Sequence, residues 1–174
     1  MRHLTGIIFI ALVFFSLQLS ASAAEPLKIG VFDYQRCIQE SNAGKRMTEG
    51  LKKKQIEMQK TIDTKQQELV EMQKDMEKQS LMLSTAAKED RQKEYEKKRR
   101  DLSYLMQDSN DEMKKAETDA RLDFLNILSG VVQTIAKDKK YDLIAERAQG
   151  GIIYVSKALD ITDDVIAAIN KAKP

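Results

Sequence analysis

The chain has 174 residues, with 29 Lys or Arg against 27 Asp or Glu and a formal net charge of +2. Charged residues make up 32% of it and aromatics 6%, which leaves little apolar volume for an enzyme-sized globular core. The near-neutral balance argues against nucleic acid as the main partner, since that role calls for a strongly basic domain.

Arg2 and His3 precede an apolar run from Gly6 to Leu17, and Ala21-Ser22-Ala23 supplies a small-x-small cleavage pattern. This three-part layout predicts a secretory signal peptide over residues 1–23. The apolar run is shorter than the roughly 20 residues of a spanning helix, which disfavours an uncleaved anchor. Loss of Arg2 takes the net charge from +2 to +1. Cys37, the single cysteine, allows no internal disulfide in an exported domain. It lies too far downstream of the cleavage site to carry a lipid. It reads as a small packed side chain at a helix start, with a reactive or intermolecular thiol as the alternative.

Leu27 to Asp33 reads as a strand. Ser41-Asn42-Ala43-Gly44 then interrupts the pattern, so a helix begins near Tyr34 or near Ser41. From Leu51 to Ser129 the chain runs 79 residues without Gly or Pro and carries 17 basic and 17 acidic residues. Nothing in it breaks a helix, and its charges must face water. Two interleaved seven-residue series predict a diluted seam. In the first half they hold Leu51, Met58, Lys65, Met72, Gln79 and Gln55, Ile62, Leu69, Met76, Leu83. In the second half they hold Tyr95, Leu102, Ser109, Ala116 and Arg99, Met106, Met113, Ala120, Ile127. Ser84 is a candidate N-cap, followed by acidic Glu89 and Asp90. Two helices of near-equal length then form an antiparallel hairpin with its tip near 84–90. Each arm reaches roughly 75 Å at 1.5 Å per residue.

Beyond Lys140 the pattern changes. Tyr141 to Glu146 and Ile152 to Ser156 read as paired strands around an Arg147–Gly151 turn. Thr162 is the expected cap of a short helix that has Asp163 and Asp164 in its first turn and an apolar face of Val165, Ile166 and Ile169. The predicted fold class is α+β, mostly α: a long antiparallel coiled-coil-like hairpin (41–138) projecting from a small β-stranded association domain, built from 24–40 and 139–174. Three strands and one short helix make too small a core to stand alone. Strands of several subunits are therefore expected to share one body through Ile29, Val31, Phe32, Leu143, Ile144, Ile153 and Val155.

No catalytic constellation emerges. The mature chain has no His, so it has neither a Cys–His pair nor a zinc ligand set, and no cofactor is expected. Asp63, Glu68, Glu71 and Asp75 read as solvated helix charges. Gly150-Gly151 precedes a strand rather than a helix, so it is a turn and not a phosphate loop. Met58, Met72, Met76, Met106 and Met113 are either seam filler or, because methionine repacks readily, a lining for varied partners. Leu81 and Met82 lie off the seam near the tip and are the better candidates for exposed contact. Lys97, Lys98, Arg99 and Arg100 form either a solvated face or a patch attracted to anionic headgroups and acidic partners.

The layout resembles the Skp/OmpH family of periplasmic chaperones over the whole mature chain. The likeness rests on Lys28-Ile29-Gly30-Val31-Phe32-Asp33, on Tyr141-Asp142-Leu143-Ile144, on Gly151 to Val155, and most sharply on Leu159-Asp160-Ile161-Thr162-Asp163-Asp164-Val165-Ile166. The resemblance implies a homotrimer with three helical arms around a cavity. It implies a periplasmic, ATP-independent holdase that keeps unfolded outer-membrane proteins from aggregating in transit to the outer membrane. The family's strong basicity is not shared, and its lipopolysaccharide site finds no matching residues. The competing class is a coiled-coil adaptor or spacer in a cell-envelope complex. Such adaptors carry flanking lipoyl-like and barrel domains, for which this chain has too few residues.

Overall fold

The computed structural model describes residues 26–79 and 82–172. The expected signal peptide and Leu81 lie outside them. In chain order the elements are β1 (Ile29–Phe32), α1 (Tyr34–Glu40), α2 (Asn42–Gln79), α3 (Thr85–Lys139), β2 (Leu143–Glu146) and α4 (Thr162–Lys171). α2 and α3 form the antiparallel hairpin, and everything else gathers at its open end.

β1 is the centre of the body. On one side it runs parallel to β2, with Ile29 opposite Leu143 and Phe32 opposite Glu146. A parallel pair needs a crossover connection, and here the whole hairpin serves as that crossover. On its other side the Val31 N–H donates to the Leu159 carbonyl at 2.8 Å, and the Val31 carbonyl accepts from the Ile161 N–H at 2.8 Å. The segment around Asp160 therefore supplies a parallel bridge. The expected strand at 152–156 does not form. Its place beside the sheet is taken by 159–161, which pairs with β1 rather than with β2.

The core beneath this sheet joins Phe32, Cys37, Ile161, Val165 and Ile169 to Phe124, Leu128, Val131 and Ile135 of α3. Those four α3 residues recur at three- and four-residue steps and so share one helix face. The Tyr34 ring meets Phe124 edge-on, with centroids 5.8 Å apart. Burial of each large apolar side chain contributes about 1.5–3 kcal/mol, so this cluster holds most of the molecule's tertiary stability. Val31 and Phe32, expected at a subunit interface, are instead buried within the chain's own body.

Both candidate helix starts are realised. Ser41 closes α1, its N–H donating to the Cys37 carbonyl at 3.2 Å. The same residue opens α2, its Oγ accepting from the Gly44 N–H at 3.1 Å. The Asn42 N–H donates to Asn170 Oδ1 at 2.7 Å, tying the arm's root to α4. Thr162 departs from its expected role. Ile161 occupies the capping position, with no side-chain cap bond. Thr162 is buried, its Oγ1 accepting from the Asp33 N–H at 3.0 Å and donating to Asp160.

Cys37 is fully buried. Burial first, and then the nearby Asp33 carboxylate, pushes its thiol up to about 12. A thiol without thiolate character and without access is inert. Native protein is therefore expected not to react with an aromatic disulfide reagent at neutral pH, and to release one equivalent of chromophore after unfolding in guanidinium. Prompt reaction of the native state would refute the packed assignment.

Acid should loosen the body. Burial opposes ionisation of Asp160, but the hydrogen bonds from the Thr162 hydroxyl and N–H outweigh it and hold the carboxyl below its ordinary 3.8. Burial likewise opposes ionisation of Glu146, and backbone N–H donors of Gln149, Ala148 and Tyr34 hold it below 4.5. A carboxylate depressed by folding stabilises the native state above its unfolded value, and that contribution is lost as pH falls through the folded value. The melting temperature is expected to be insensitive to these groups at neutral pH and to fall below about pH 4.5. Asp160→Asn should flatten that acid limb in a pH series of thermal melts, and an unchanged limb would count against this origin.

Candidate functional site

The candidate site is the hairpin's lengthwise seam together with the exposed face of the body. Ser84 turns the chain as expected: its side chain accepts from the Ala87 N–H at 3.3 Å and caps α3. The antiparallel register is marked by two cross-arm ion pairs, Lys54–Glu112 at 2.8 Å and Lys98–Glu68 at 3.8 Å. Both are largely exposed and individually weak, so packing must carry the hairpin.

That packing keeps most of the seven-residue seam: Ile62, Leu69, Met76 and Leu83, then Tyr95, Leu102, Ser109 and Ala116, and also Met113, Ala120 and Ile127, are covered at seven-residue steps. On α3 the covered positions include Tyr95, Lys98, Leu102, Leu105, Ser109, Met113, Ala116, Ala120, Phe124, Ile127, Leu128, Val131 and Ile135. Some of them also stand eleven residues apart, as do Leu102, Met113 and Phe124. On α2 the same period links Met47, Met58 and Leu69, and also Leu51 and Ile62. Of the polar residues in the two series, Gln55, Lys65, Gln79 and Arg99 are exposed, as is apolar Met106, whereas Ser109 is half-covered. The exposed positions lie off the covered strip, which still carries polar Ser109 and the half-covered Lys54, Glu68 and Lys98.

The seam also lacks coverage. Leu69 is buried, but Leu51, Met58, Ile62, Met72 and Met76 are only half-buried, as are Leu102, Leu105 and Met113 across from them. Two helices close a seam from one side each and leave both long grooves open. Clefts lie along those grooves. One of about 470 Å3 is bordered by Gly50, Met58 and the Lys54–Glu112 pair. A second, of about 280 Å3, lies between Lys65 and Leu105. A third, of about 350 Å3, is lined by Met76, Leu83 and the stems of Lys88 and Arg91 at the tip.

The sequence-predicted contact residues therefore divide. Met58, Met72, Met76 and Met113 line the half-open seam, whereas Met82 is 88% exposed at the tip and Met106 is 52% exposed on the arm's flank. Lys97, Arg99 and Arg100 face solvent, and Lys98 turns inward to Glu68. On the body Ile29, Ile144 and Val155 are half-buried, Leu143 is 51% exposed and Ile153 is 94% exposed. Sequence reasoning missed Tyr154, 82% exposed beside Ile153, and the exposed arm residues Ile56, Tyr104 and Leu122. Tyr154 was readable as the next residue of an uncharged run; the arm residues carry no pattern that would mark them.

Among the described residues no cluster of His, Cys, Asp or Glu could hold a metal ion, and no helix is long and apolar enough to cross a membrane. The arrangement offers elongated, partly apolar surface rather than an enclosed reaction site.

Comparison with known proteins agrees with this geometry. Residues 28–169 match the family model described as outer membrane protein (OmpH-like). A Skp-like protein of Pseudomonas aeruginosa is 24% identical over 173 residues, covering 99% of this chain and all of its own length. The crystal structure of a Caulobacter crescentus protein, described as an OmpH-like outer membrane chaperone, superposes with a TM-score of 0.78 at 19% identity, covering 84% of this chain and 85% of the other. The chain thus belongs to the OmpH/Skp-like family of outer membrane protein chaperones.

Proposed function

We propose that this protein is an ATP-independent holdase that binds unfolded outer-membrane proteins in the periplasm and keeps them from aggregating. The family is periplasmic and non-enzymatic. The observation that carries the reading is the seam: a mainly apolar strip along both arms that neither arm can fully cover. Unfolded β-barrel chains expose apolar segments that otherwise associate with each other. A long half-covered strip meets them through many weak contacts, and several arms acting together give tight, reversible capture. Met58, Met72, Met76 and Met113 would serve from the grooves, and Leu81, Met82 and Met106 from the tip and flank. Lys97, Arg99 and Arg100 would add attraction to acidic clients or an anionic lipid surface, screened by salt.

The arms would act as a homo-oligomer, expected to be a trimer, joined through the body formed by 24–40 and 139–174. Residues Gly150 to Ser156 carry no charge in a chain that is 32% charged. Ile153 and Tyr154 are almost wholly exposed. Among the described residues no acceptor in the chain takes the N–H groups of Ile153, Tyr154 or Val155. Backbone amides without a partner beside exposed apolar side chains are a template for β-pairing with another chain. Leu143, exposed on β2, extends the same surface. Export by a signal peptide over residues 1–23 completes the reading.

Dilution of a denatured β-barrel protein with and without this chain tests the holdase assignment by light scattering. At molar excess of trimer, scattering is expected to stay near baseline. Aggregation that proceeds at the same rate and amplitude would overturn it, and retention of one fixed partner from periplasmic extract would favour an envelope adaptor.

A further inference from the structure

We propose that Glu146 couples the root of the arm to the self-association segment, so that one carboxylate sets both. The inference rests on the oligomer reading above. Glu146 ends β2 directly opposite Phe32. Its Oε1 accepts from the N–H of Tyr34 at 3.3 Å, the first residue of α1 and hence of the helical path into the arm. Its Oε2 accepts from the Gln149 N–H, and its main-chain carbonyl accepts from the Gly150 N–H at 2.9 Å. A single residue thereby holds three acceptor positions, one facing the arm and two facing the turn.

That turn delivers the association segment. Its next bond is the Ile152 N–H to the Arg147 carbonyl at 3.0 Å. Gly151 reverses the chain at φ 64°, in the left-handed region that favours glycine. Any Cβ at Gly150 would stand 2.7 Å from the Glu146 carbonyl oxygen, so the turn is built closely against this residue. Ile153 and Tyr154 follow immediately and project into solvent. On the arm side, Tyr34 packs on Phe124 of α3, so the helix held by Glu146 is itself wedged against the hairpin. The charge that acts on the carboxylate is that of Asp33, which in turn faces Arg147 at 3.9 Å. Loss of the carboxylate would free the turn and the first amide of α1 together.

The test uses the processed full chain carrying Glu146→Gln, which keeps one neutral acceptor oxygen, and Glu146→Ala, which keeps none. Self-association is read by light scattering over a dilution series, and amide hydrogen exchange is read by residue. Charge-assisted hydrogen bonds are among the stronger ones, and about a tenfold weaker assembly is expected for Glu146→Gln, with a larger loss for Glu146→Ala. The amides of Tyr34 and Gln149 should exchange faster in step, with Leu69 in the arm unchanged. If both variants assemble as the wild type does, the coupling is wrong while the oligomer reading stands. A wild type that is monomeric at every concentration removes the oligomer reading; the link to the arm root then stands or falls on the exchange data. It falls if Gln149 loosens while Tyr34 does not. Should Glu146→Ala fail to fold, Glu146→Gln carries the test alone.

Discussion

Phe124→Ala is expected to unfold the body at temperatures where the wild type is intact. Phe124 is 2% exposed and touches both the Tyr34 ring and the core from its place on α3. Truncating a buried phenylalanine costs about 3–5 kcal/mol, the transfer term plus the cavity left behind. A whole domain holds only about 5–15 kcal/mol, and this body is small. Thermal melts followed by tyrosine near-UV dichroism should show loss of tertiary packing, with helical far-UV signal persisting to a higher temperature in the arms. Met106→Ala is the control. Its side chain is half exposed on the arm's flank, so it should stay within about 0.5 kcal/mol of wild type. Comparable destabilisation by both would mean that the arms, not the body, hold the fold.

A pair of glycine substitutions should have opposite signs. In an ordinary helix Gly→Ala stabilises by about 0.5–1 kcal/mol, because glycine loses more backbone freedom on folding. Gly50 lies within α2, and an added Cβ there meets nothing within 4 Å, so Gly50→Ala should follow that rule. Gly44 lies in the same helix, but its Cβ would stand 2.1 Å from the Ile38 carbonyl oxygen and 2.6 Å from the Ile38 carbonyl carbon. Those are backbone atoms that no rotamer change can move. Relief would require the α1–α2 elbow to open, breaking the Ser41 and Asn42 bonds that fix it. Gly44→Ala should therefore cost about 3 kcal/mol or more, at the upper end of overpacking penalties. Chemical denaturation of the two variants measures both signs. A stabilised Gly44→Ala would show that the elbow is slack.

How much of this was legible depended on how local the deciding interaction is. Ser84 was readable as the fold point because a cap is set by a residue and its next three neighbours. β1, β2 and α4 announced themselves by short apolar patterns. The elbow was half readable, since Ser41 to Gly44 plainly interrupted the pattern but could not say that helices flank it on both sides. The seam was mostly readable, but its edge was misplaced at Arg99 and Met106, because apolar residues three and four apart fit more than one helical face over two turns. Only burial separates Met106, which lies outside it, from Leu105, which lies within. The Ile152–Ser156 strand was misread because a short β-branched and aromatic run is a context-dependent signal, and the chain bends at Ile153 instead of pairing. The true neighbour of β1 on that side contains Asp160, a poor strand former, held there because its carboxylate binds Thr162. Thr162 looked like a helix cap by type and position, yet its hydroxyl was claimed by two residues, one of them 129 positions away. For the site, methionine content pointed to the arms correctly but could not divide groove from flank.

The half-covered seam has a consequence for how the arms can yield. From Met47 to Gln79 an arm is about 50 Å long. Its root is fixed by the Ser41 and Asn42 bonds at the elbow. Beyond the elbow Leu69 is the one buried residue of α2 among the described residues. The two cross-arm ion pairs are exposed and add little. The hairpin is therefore held like a cantilever, firm where it meets the body and freer to part toward Ser84.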